Sequence, residues 1–224
     1  MVNNIKHTTL VLGSLIFLIL SFNCRQPVIP TEEDLADYGW TLYETGEYQE
    51  AREWFYDAVD KDSSYADGFN GIGWCFGKLR QADSAAVYFL ISQTKPFDPY
   101  DTPDLDLDLY AGLTFSYSGM HIDSLVRTYA TYVLVDRPEL GPWYFSHDNK
   151  INHLDIRLEL ALADFNMGYF VSCRDNLQSI YNDTYYQSFP SNNPKALTMN
   201  VETVSGRAEL AQILQSLQQT LKNI

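Results

Sequence analysis

Basic residues are scarce in this chain of 224 residues. It has 15 lysines and arginines against 29 aspartates and glutamates, which gives a formal net charge of −14 at pH 7. The phosphates of nucleic acids and the head groups of anionic lipids repel a protein of that charge. We therefore expect no nucleic-acid partner, and we favour basic partners over neutral or acidic ones.

Recognisable catalytic signatures are also missing. The sequence has no GxSxG, HExxH or GxxxxGK[ST] motif, so the common hydrolase, metalloprotease and nucleotide-binding patterns are absent. Its four histidines show no spacing typical of metal ligands. We expect a protein that is not an enzyme and that has no cofactor. An active site assembled from residues far apart in the sequence is the alternative that a motif search leaves open.

Cysteine is rare, and no CxxC pair is present. The three cysteines are Cys24, Cys75 and Cys173, so neither a zinc ribbon nor a thioredoxin-like site is indicated. The repeat pattern described below places Cys75 and Cys173 two repeats apart. A disulfide needs Cα atoms within about 7 Å, so we expect no bridge and interpret both as buried small hydrophobic residues.

No hydrophobic run is long enough to span a bilayer. The longest, from Thr8 to Leu20, has 13 residues, whereas a membrane-spanning helix needs about 20. Lys6 precedes this run and supplies the positive charge typical of a signal peptide. We interpret residues 1–23 as a signal peptide.

The residues after this run resemble a bacterial lipoprotein processing site. The sequence Ser-Phe-Asn-Cys ends at Cys24, although Asn23 stands where such sites usually have glycine or alanine. We predict that Cys24 is lipidated, and ordinary secretion or an uncleaved anchor are the alternatives. Residues 24–30 then form a tether containing Pro27 and Pro30, which reaches about 20 Å when extended.

An internal repeat is the strongest feature that the sequence does contain. Four pairs of like residues are separated by 34 positions: Gly39 and Gly73, Trp40 and Trp74, Ala51 and Ala85, and Phe55 and Phe89. A period of 34 with small residues at fixed offsets resembles the tetratricopeptide repeat (TPR), a unit of two antiparallel helices. The resemblance implies an all-α, right-handed solenoid of about four such units.

The predicted TPR domain covers residues 31–224. We place its repeats at about 32–65, 66–99, 104–138 and 153–186, with a capping helix at 205–222. Thr31 and Asp34 form a predicted capping box at the first helix, and Ser205 is the predicted cap of the last helix. Gly46 supplies the first turn, Arg80 replaces the glycine expected at the second, and Gly119 is assigned to the third.

An aromatic insertion separates the third and fourth repeats. Residues 137–152 include the consecutive aromatic residues Trp143, Tyr144 and Phe145. Such a segment either folds back over the core or forms a contact surface. We favour packing, because three adjacent aromatic side chains in water promote aggregation.

Two ligand-binding motifs, an EF-hand and a dinucleotide fingerprint, are incomplete in this sequence. The acidic run from Asp98 to Asp108 lacks the pattern of an EF-hand. Counted from Asp104, the positions that require glycine and glutamate are occupied by Leu109 and Phe115. The glycine-rich segment around Gly73 has Phe76 where a dinucleotide fingerprint requires glycine. We therefore interpret the carboxylates as a solvated helix start and expect no metal.

The resemblance further implies that the first helix of each repeat lines a concave groove. On that basis six residues are candidate partner-binding residues: Trp40, Tyr43, Asp67, Asn70, Trp74 and Asp106. Stacked tryptophans with carboxylates suit an extended or helical peptide with basic residues. The alternative is that the two tryptophans pack as core.

Two classes of function remain from the sequence. The first is a lipid-anchored scaffold of the bacterial cell envelope, placed on the outer membrane and facing the periplasm. In outline it is similar to the TPR lipoproteins of the β-barrel assembly machinery and of pilus secretin assembly. The second class is an envelope receptor for a small ligand or glycan, in which exposed tryptophans stack on sugar rings.

Overall fold

The computed structural model describes residues 29–99, 103–135, 141–190, 192 and 194–222. Over these residues the chain is helical, with no β-strand and one isolated bridge between Tyr144 and Asn152. The all-α fold class predicted from the sequence is confirmed. The predicted signal peptide and Cys24 lie outside the described residues.

Ten helices follow one another in the described part of the chain. Their bounds are α1 Glu32–Thr45, α2 Tyr48–Lys61, α3 Ala66–Lys78, α4 Ala82–Gln93, α5 Leu105–Gly119, α6 Asp123–Val133, α7 His153–Asn166, α8 Phe170–Asn182, α9 Thr184–Gln187 and α10 Val204–Leu221. The first helices of four successive pairs thus begin at positions 32, 66, 105 and 153, against predicted repeat starts of 32, 66, 104 and 153.

Packing follows the order of the chain. Each helix from α1 to α8 packs against the next, and the first helices of successive pairs also contact one another: α1 with α3, α3 with α5, and α5 with α7. The surface formed by α1, α3, α5 and α7 is called the first-helix face below. Residues 31–224 form one compact unit.

Two phenylalanine rings explain why glycines recur in the first helices. The ring of Phe55, from α2, lies against Gly39 of α1 and Gly71 of α3, and a Cβ atom at Gly71 would overlap that ring. Phe89, from α4, lies in the same way between Gly73 and Gly112. Each of these glycines allows a phenylalanine ring to approach the helix backbone closely, and this packing offsets the roughly 1 kcal/mol cost of a helical glycine.

Left-handed residues mark the turns within the four pairs. Gly46 and Gly168 have φ values of 91° and 81°, and Arg80 and His121 adopt the same region with φ values of 61° and 59°. The assignment of Gly119 to the third turn is wrong. Gly119 is the last residue of α5, and the left-handed residue is His121, two positions later than the repeat spacing predicts.

The helix caps agree with the sequence at one end of the domain and differ at the other. The backbone N–H of Asp34 donates to Thr31 Oγ1 at 3.1 Å, and the N–H of Thr31 donates to Asp34 Oδ2 at 2.7 Å, as predicted. At α10 the predicted cap, Ser205, is wrong. Thr203 Oγ1 accepts from Gly206 N at 3.0 Å instead, so the helix begins at Val204.

Helix α7 is shared by two hydrophobic cores. Ile156 and Leu160 belong to the core built by α1 to α6, whereas Leu154 and Leu158 belong to a second core with α8 and α10. The final helix covers the second core, as expected of a terminal cap. Cys75 and Cys173, one in each core, are buried and free, which confirms the prediction for these two residues.

Candidate functional site

Residues 141–152, called the strap below, fold back over the helices. The strap is held in shape by its own backbone: Phe145 N donates to Ile151 O at 2.9 Å, and His153 N donates to Trp143 O at 3.0 Å. Its end is fixed to α7 by a second capping box, formed by Asn152 and Asp155. The interpretation of the insertion as a packed segment is confirmed for Trp143 and Phe145, which are buried, whereas Tyr144 is exposed.

Trp143 anchors the strap to α5 through a buried hydrogen bond. Its indole Nε1–H donates to Asp108 Oδ1 at 2.8 Å. Burial raises the pKa of the Asp108 carboxyl well above its ordinary value, the bond from Trp143 opposes this, and the carboxylates of Asp67, Asp104 and Asp106 reinforce it. The site therefore holds a carboxyl group that gains a proton more readily than a solvated aspartate.

Phe145 and His147 cover the two tryptophans of the first-helix face. The ring of Phe145 stacks on Trp74 with centroids 4.0 Å apart, and the imidazole of His147 stacks on Trp40 at 3.8 Å and 4°. His147 Nδ1 also lies 2.9 Å from Glu44 Oε1. The strap thus contacts α1 and α3 through rings and α1 additionally through the polar contact between His147 and Glu44.

An ion pair joins the strap to α3. Lys78 Nζ donates to Asp148 Oδ2 at 2.6 Å, and the same ammonium lies 5.8 Å from the ring centroid of Tyr43. Both side chains are three-quarters buried. Pairs of this kind stabilise more than fully exposed ones, because solvent screens them less.

Four of the predicted partner-binding residues are buried, and three of them, Trp40, Tyr43 and Trp74, contact the ring of Phe145 in the strap. Trp40 is 4% exposed, and Tyr43, Asn70 and Trp74 are buried as well. The tryptophans do not form the expected stack with one another, since each stacks on a strap ring instead. The alternative that they are packed as core is thus closer to the structure, with the strap as their packing partner.

The two predicted carboxylates have different positions. Asp67 accepts from Trp40 Nε1 at 2.8 Å and from Asn70 Nδ2 at 3.1 Å, and it lines an open cleft. Asp106 is exposed and accepts from the adjacent Leu107 N at 2.9 Å. Asp108, two residues later, occupies the place at the cleft that the repeat spacing assigned to Asp106.

The cleft, called the acidic cleft below, lies beside the strap and has a volume of about 930 Å³. It is lined by eight carboxylic side chains: Glu32, Glu33, Asp37, Asp62, Asp67, Asp98, Asp104 and Asp108. Its aromatic lining residues are Trp40, Tyr65, Phe97, Tyr144 and His147. Within the described part of the chain, no lysine or arginine lines it.

This lining determines which ligands suit the acidic cleft. Converging carboxylates in a concave surface create a negative potential that attracts cations and repels anions. In the described ranges, no three or more histidine, cysteine or carboxylic side chains are arranged to hold a metal ion. The cleft is therefore better suited to a spread-out organic cation, such as a peptide with lysine or arginine side chains, than to a single metal ion.

A second cavity of about 740 Å³ lies beside α8 and has a mixed lining. Its two arginines are already engaged. Arg127 pairs with the buried Asp164, and Arg207 donates to the carbonyl oxygens of Val201 and Glu202. These contacts stabilise the fold, so the acidic cleft is the stronger candidate site.

The repeat pattern does not identify the strap residues or Asp108 as parts of the site. One signal was available: Trp143, Phe145 and His147 alternate with Tyr144 and Ser146, the period of an extended chain with one buried face. Tyr144 is 66% exposed and Phe145 is fully buried, as that alternation indicates. No signal in the sequence indicated which helices this face would cover.

The fold and this site define a class: an all-helical protein of consecutively packed helix pairs whose first-helix face is covered by its own strap. Comparison with protein-family models, with curated proteins and with solved structures found no match to the chain. Among the residues described, no helix has the length and apolarity needed to cross a membrane.

Proposed function

We propose that this protein is a non-catalytic interaction protein that binds a basic peptide or protein segment in the acidic cleft. The single observation that carries the proposal is the lining of this cleft, with eight carboxylic side chains and, among the described residues, no lysine or arginine. Carboxylates steer and orient a cationic partner, and the aromatic rim supplies apolar contact.

The architecture supports a scaffold role. We propose that the four helix pairs are TPR-like units of a right-handed solenoid, on the basis of the 34-residue spacing and the continuous layer α1, α3, α5 and α7. Partners of such arrays bind along the surface made by the first helices. Here the strap leaves the acidic cleft as the open part of that surface.

Binding to an arginine-rich peptide labelled with fluorescein tests the proposal. The double substitution Glu33→Gln and Asp37→Asn removes two exposed carboxylates of the cleft. We expect about tenfold weaker binding by fluorescence anisotropy, because two screened charge contacts of about 0.7 kcal/mol each amount to that factor.

The matched control removes the same charge elsewhere. Glu53→Gln with Asp57→Asn changes two exposed residues of α2 that do not line the cleft. This variant should bind the peptide within about twofold of the wild type. Equal weakening by both double variants would show that only net charge matters, and the proposal would fail.

We further propose that the protein is anchored to the bacterial outer membrane through a lipid on Cys24 and faces the periplasm. The support is the apolar run followed by cysteine in the sequence. Several acyl chains give stable anchoring where one chain does not. Replacing Cys24 with serine should move the protein from the membrane fraction to the soluble fraction, and its retention with the membrane would contradict the lipid anchor.

The receptor for a small ligand or glycan is the weaker candidate. Stacking on a sugar requires an exposed aromatic face, and the strap rings cover Trp40 and Trp74. Tyr144 is the most exposed ring that remains at the cleft, and Phe97 is exposed to a lesser extent. If neutral oligosaccharides rather than the basic peptide bound to the protein, and Tyr144→Ala abolished that binding, the receptor would replace the scaffold proposal.

A further inference from the structure

The strap lies on the first-helix face in the manner of an extended peptide. Three of its side chains, at alternate positions, meet three successive first helices in reverse order: Trp143 with Asp108 of α5, Phe145 with Trp74 of α3, and His147 with Trp40 of α1. The side chains between them, Tyr144 and Ser146, are exposed. This is the alternation of a β-strand.

Each of the three contacts has a distinct chemical partner. The indole N–H of Trp143 donates to a carboxylate oxygen, and the ring of Phe145 stacks on an indole. The imidazole of His147 stacks on a second indole and also contacts Glu44. The backbone bond of Phe145 runs within the strap, to Ile151 O. The first-helix face therefore recognises the strap through its side chains.

We propose that the strap is an internal ligand of the first-helix face, and that this face binds an extended segment of another protein with the same pattern when the strap is displaced. The segment carries aromatic side chains at two alternate positions and a histidine two residues later. This surface lies beneath the strap and shares Trp40 and Asp108 with the lining of the acidic cleft, but the inference rests on the contacts of the strap and not on the proposed binding of a basic segment.

Competition sets the expected affinity. A tethered segment has an effective concentration on the order of 1 mM with respect to its own site. An external segment that makes the same contacts must displace it and binds weakly to the wild-type chain. Weakening the strap without altering the helices removes this competitor, so binding of the external segment becomes tighter.

The test uses a fluorescein-labelled peptide with the sequence of residues 142–149, PWYFSHDN, and a control peptide in which its phenylalanine is replaced by alanine. Phe145→Ala in the full chain empties the place of the phenyl ring on Trp74. We expect this variant to bind the peptide at least tenfold more tightly than the wild type does. It should bind the control peptide no more tightly than the wild type does.

A milder variant guards against loss of the fold. His147→Ala with Asp148→Ala removes the partners of Glu44 and Lys78 and keeps both buried rings, so the helices stay packed. It should also bind the peptide more tightly than the wild type, and the peptide should raise its melting temperature. If either variant is folded by circular dichroism and binds both peptides equally, or binds neither, the proposal is overturned.

Discussion

His147 and Trp40 lie face to face, with ring centroids 3.8 Å apart and planes at 4°. The imidazole comes from the strap and the indole from α1, and Glu44 on the same helix holds Nδ1 of the imidazole at 2.9 Å. Trp40 is 4% exposed although it lines the acidic cleft. The imidazole thus covers one face of this indole beside the cleft.

Removing this histidine should uncover Trp40. In His147→Ala we expect the tryptophan emission to shift to longer wavelength and acrylamide quenching to increase, because water gains access to the indole. Ser146→Ala changes the exposed neighbour and should leave both signals unchanged. Emission identical to that of the wild type in His147→Ala would show that other groups bury Trp40.

Two glycines of α3 should respond in opposite directions to the same substitution. Gly71→Ala forces the ring of Phe55 to move, so we expect a loss of about 1–3 kcal/mol in the free energy of unfolding, as for other overpacked sites. Gly77→Ala meets no atom within 4 Å and should gain about 0.5 kcal/mol from its higher helix propensity. Urea unfolding measures both, and equal effects would contradict the tight packing of Phe55.

The burial of Asp108 makes stability depend on pH. Its pKa is raised in the folded chain, whereas it lies near 4 in an unfolded chain. The folded chain therefore binds a proton where the unfolded chain does not, and stability falls as the pH rises from about 4 through the folded-state pKa.

Asp108→Asn should remove this dependence while its amide oxygen still accepts from Trp143. We expect the variant to be close to the wild type near pH 4 and increasingly more stable than the wild type as the pH rises. Thermal unfolding across that range measures the difference. Asp106→Asn removes one exposed charge from the same helix and corrects for net charge. A stability gain that is the same at every pH would contradict the burial argument.

Replacing Arg80 with glycine should stabilise the folded chain. Its φ of 61° is in the left-handed region, which costs a non-glycine residue about 1 kcal/mol or more. In urea unfolding we expect Arg80→Gly to raise the free energy of unfolding by about 0.5–1 kcal/mol. This value includes the larger conformational entropy of glycine in the unfolded chain. Gly46→Ala is the converse substitution, at φ 91° with open space around it, and should destabilise by a similar amount.

The helices were predictable from the sequence because the interactions that form them are local. The capping box at Thr31, the turn at Gly46 and the glycines at Phe55 depend on residues within one repeat or its neighbour, so a 34-residue period reveals them. The third turn was misplaced at Gly119, because α5 is longer than the repeat from which its end was inferred.

The site was predictable only in part. The spacing identified Trp40, Trp74 and Asp67, but their exposure depended on a segment whose contacts lie far away in the sequence. The ion pair between Lys78 and Asp148 joins residues 70 positions apart. No periodicity encodes such a contact, and hydrophobicity alone predicted only that the strap would be buried.

The large sequence separation between the strap and its contacts also bears on the order of folding. Phe55 meets glycines of adjacent helices, whereas His147 must find Glu44 across 103 residues. Closing the longer loop costs more entropy, and contacts of that range form more slowly. We therefore expect the early helix pairs to assemble first, with Trp40 and Trp74 still in contact with water, and the strap to exclude that water in a later step.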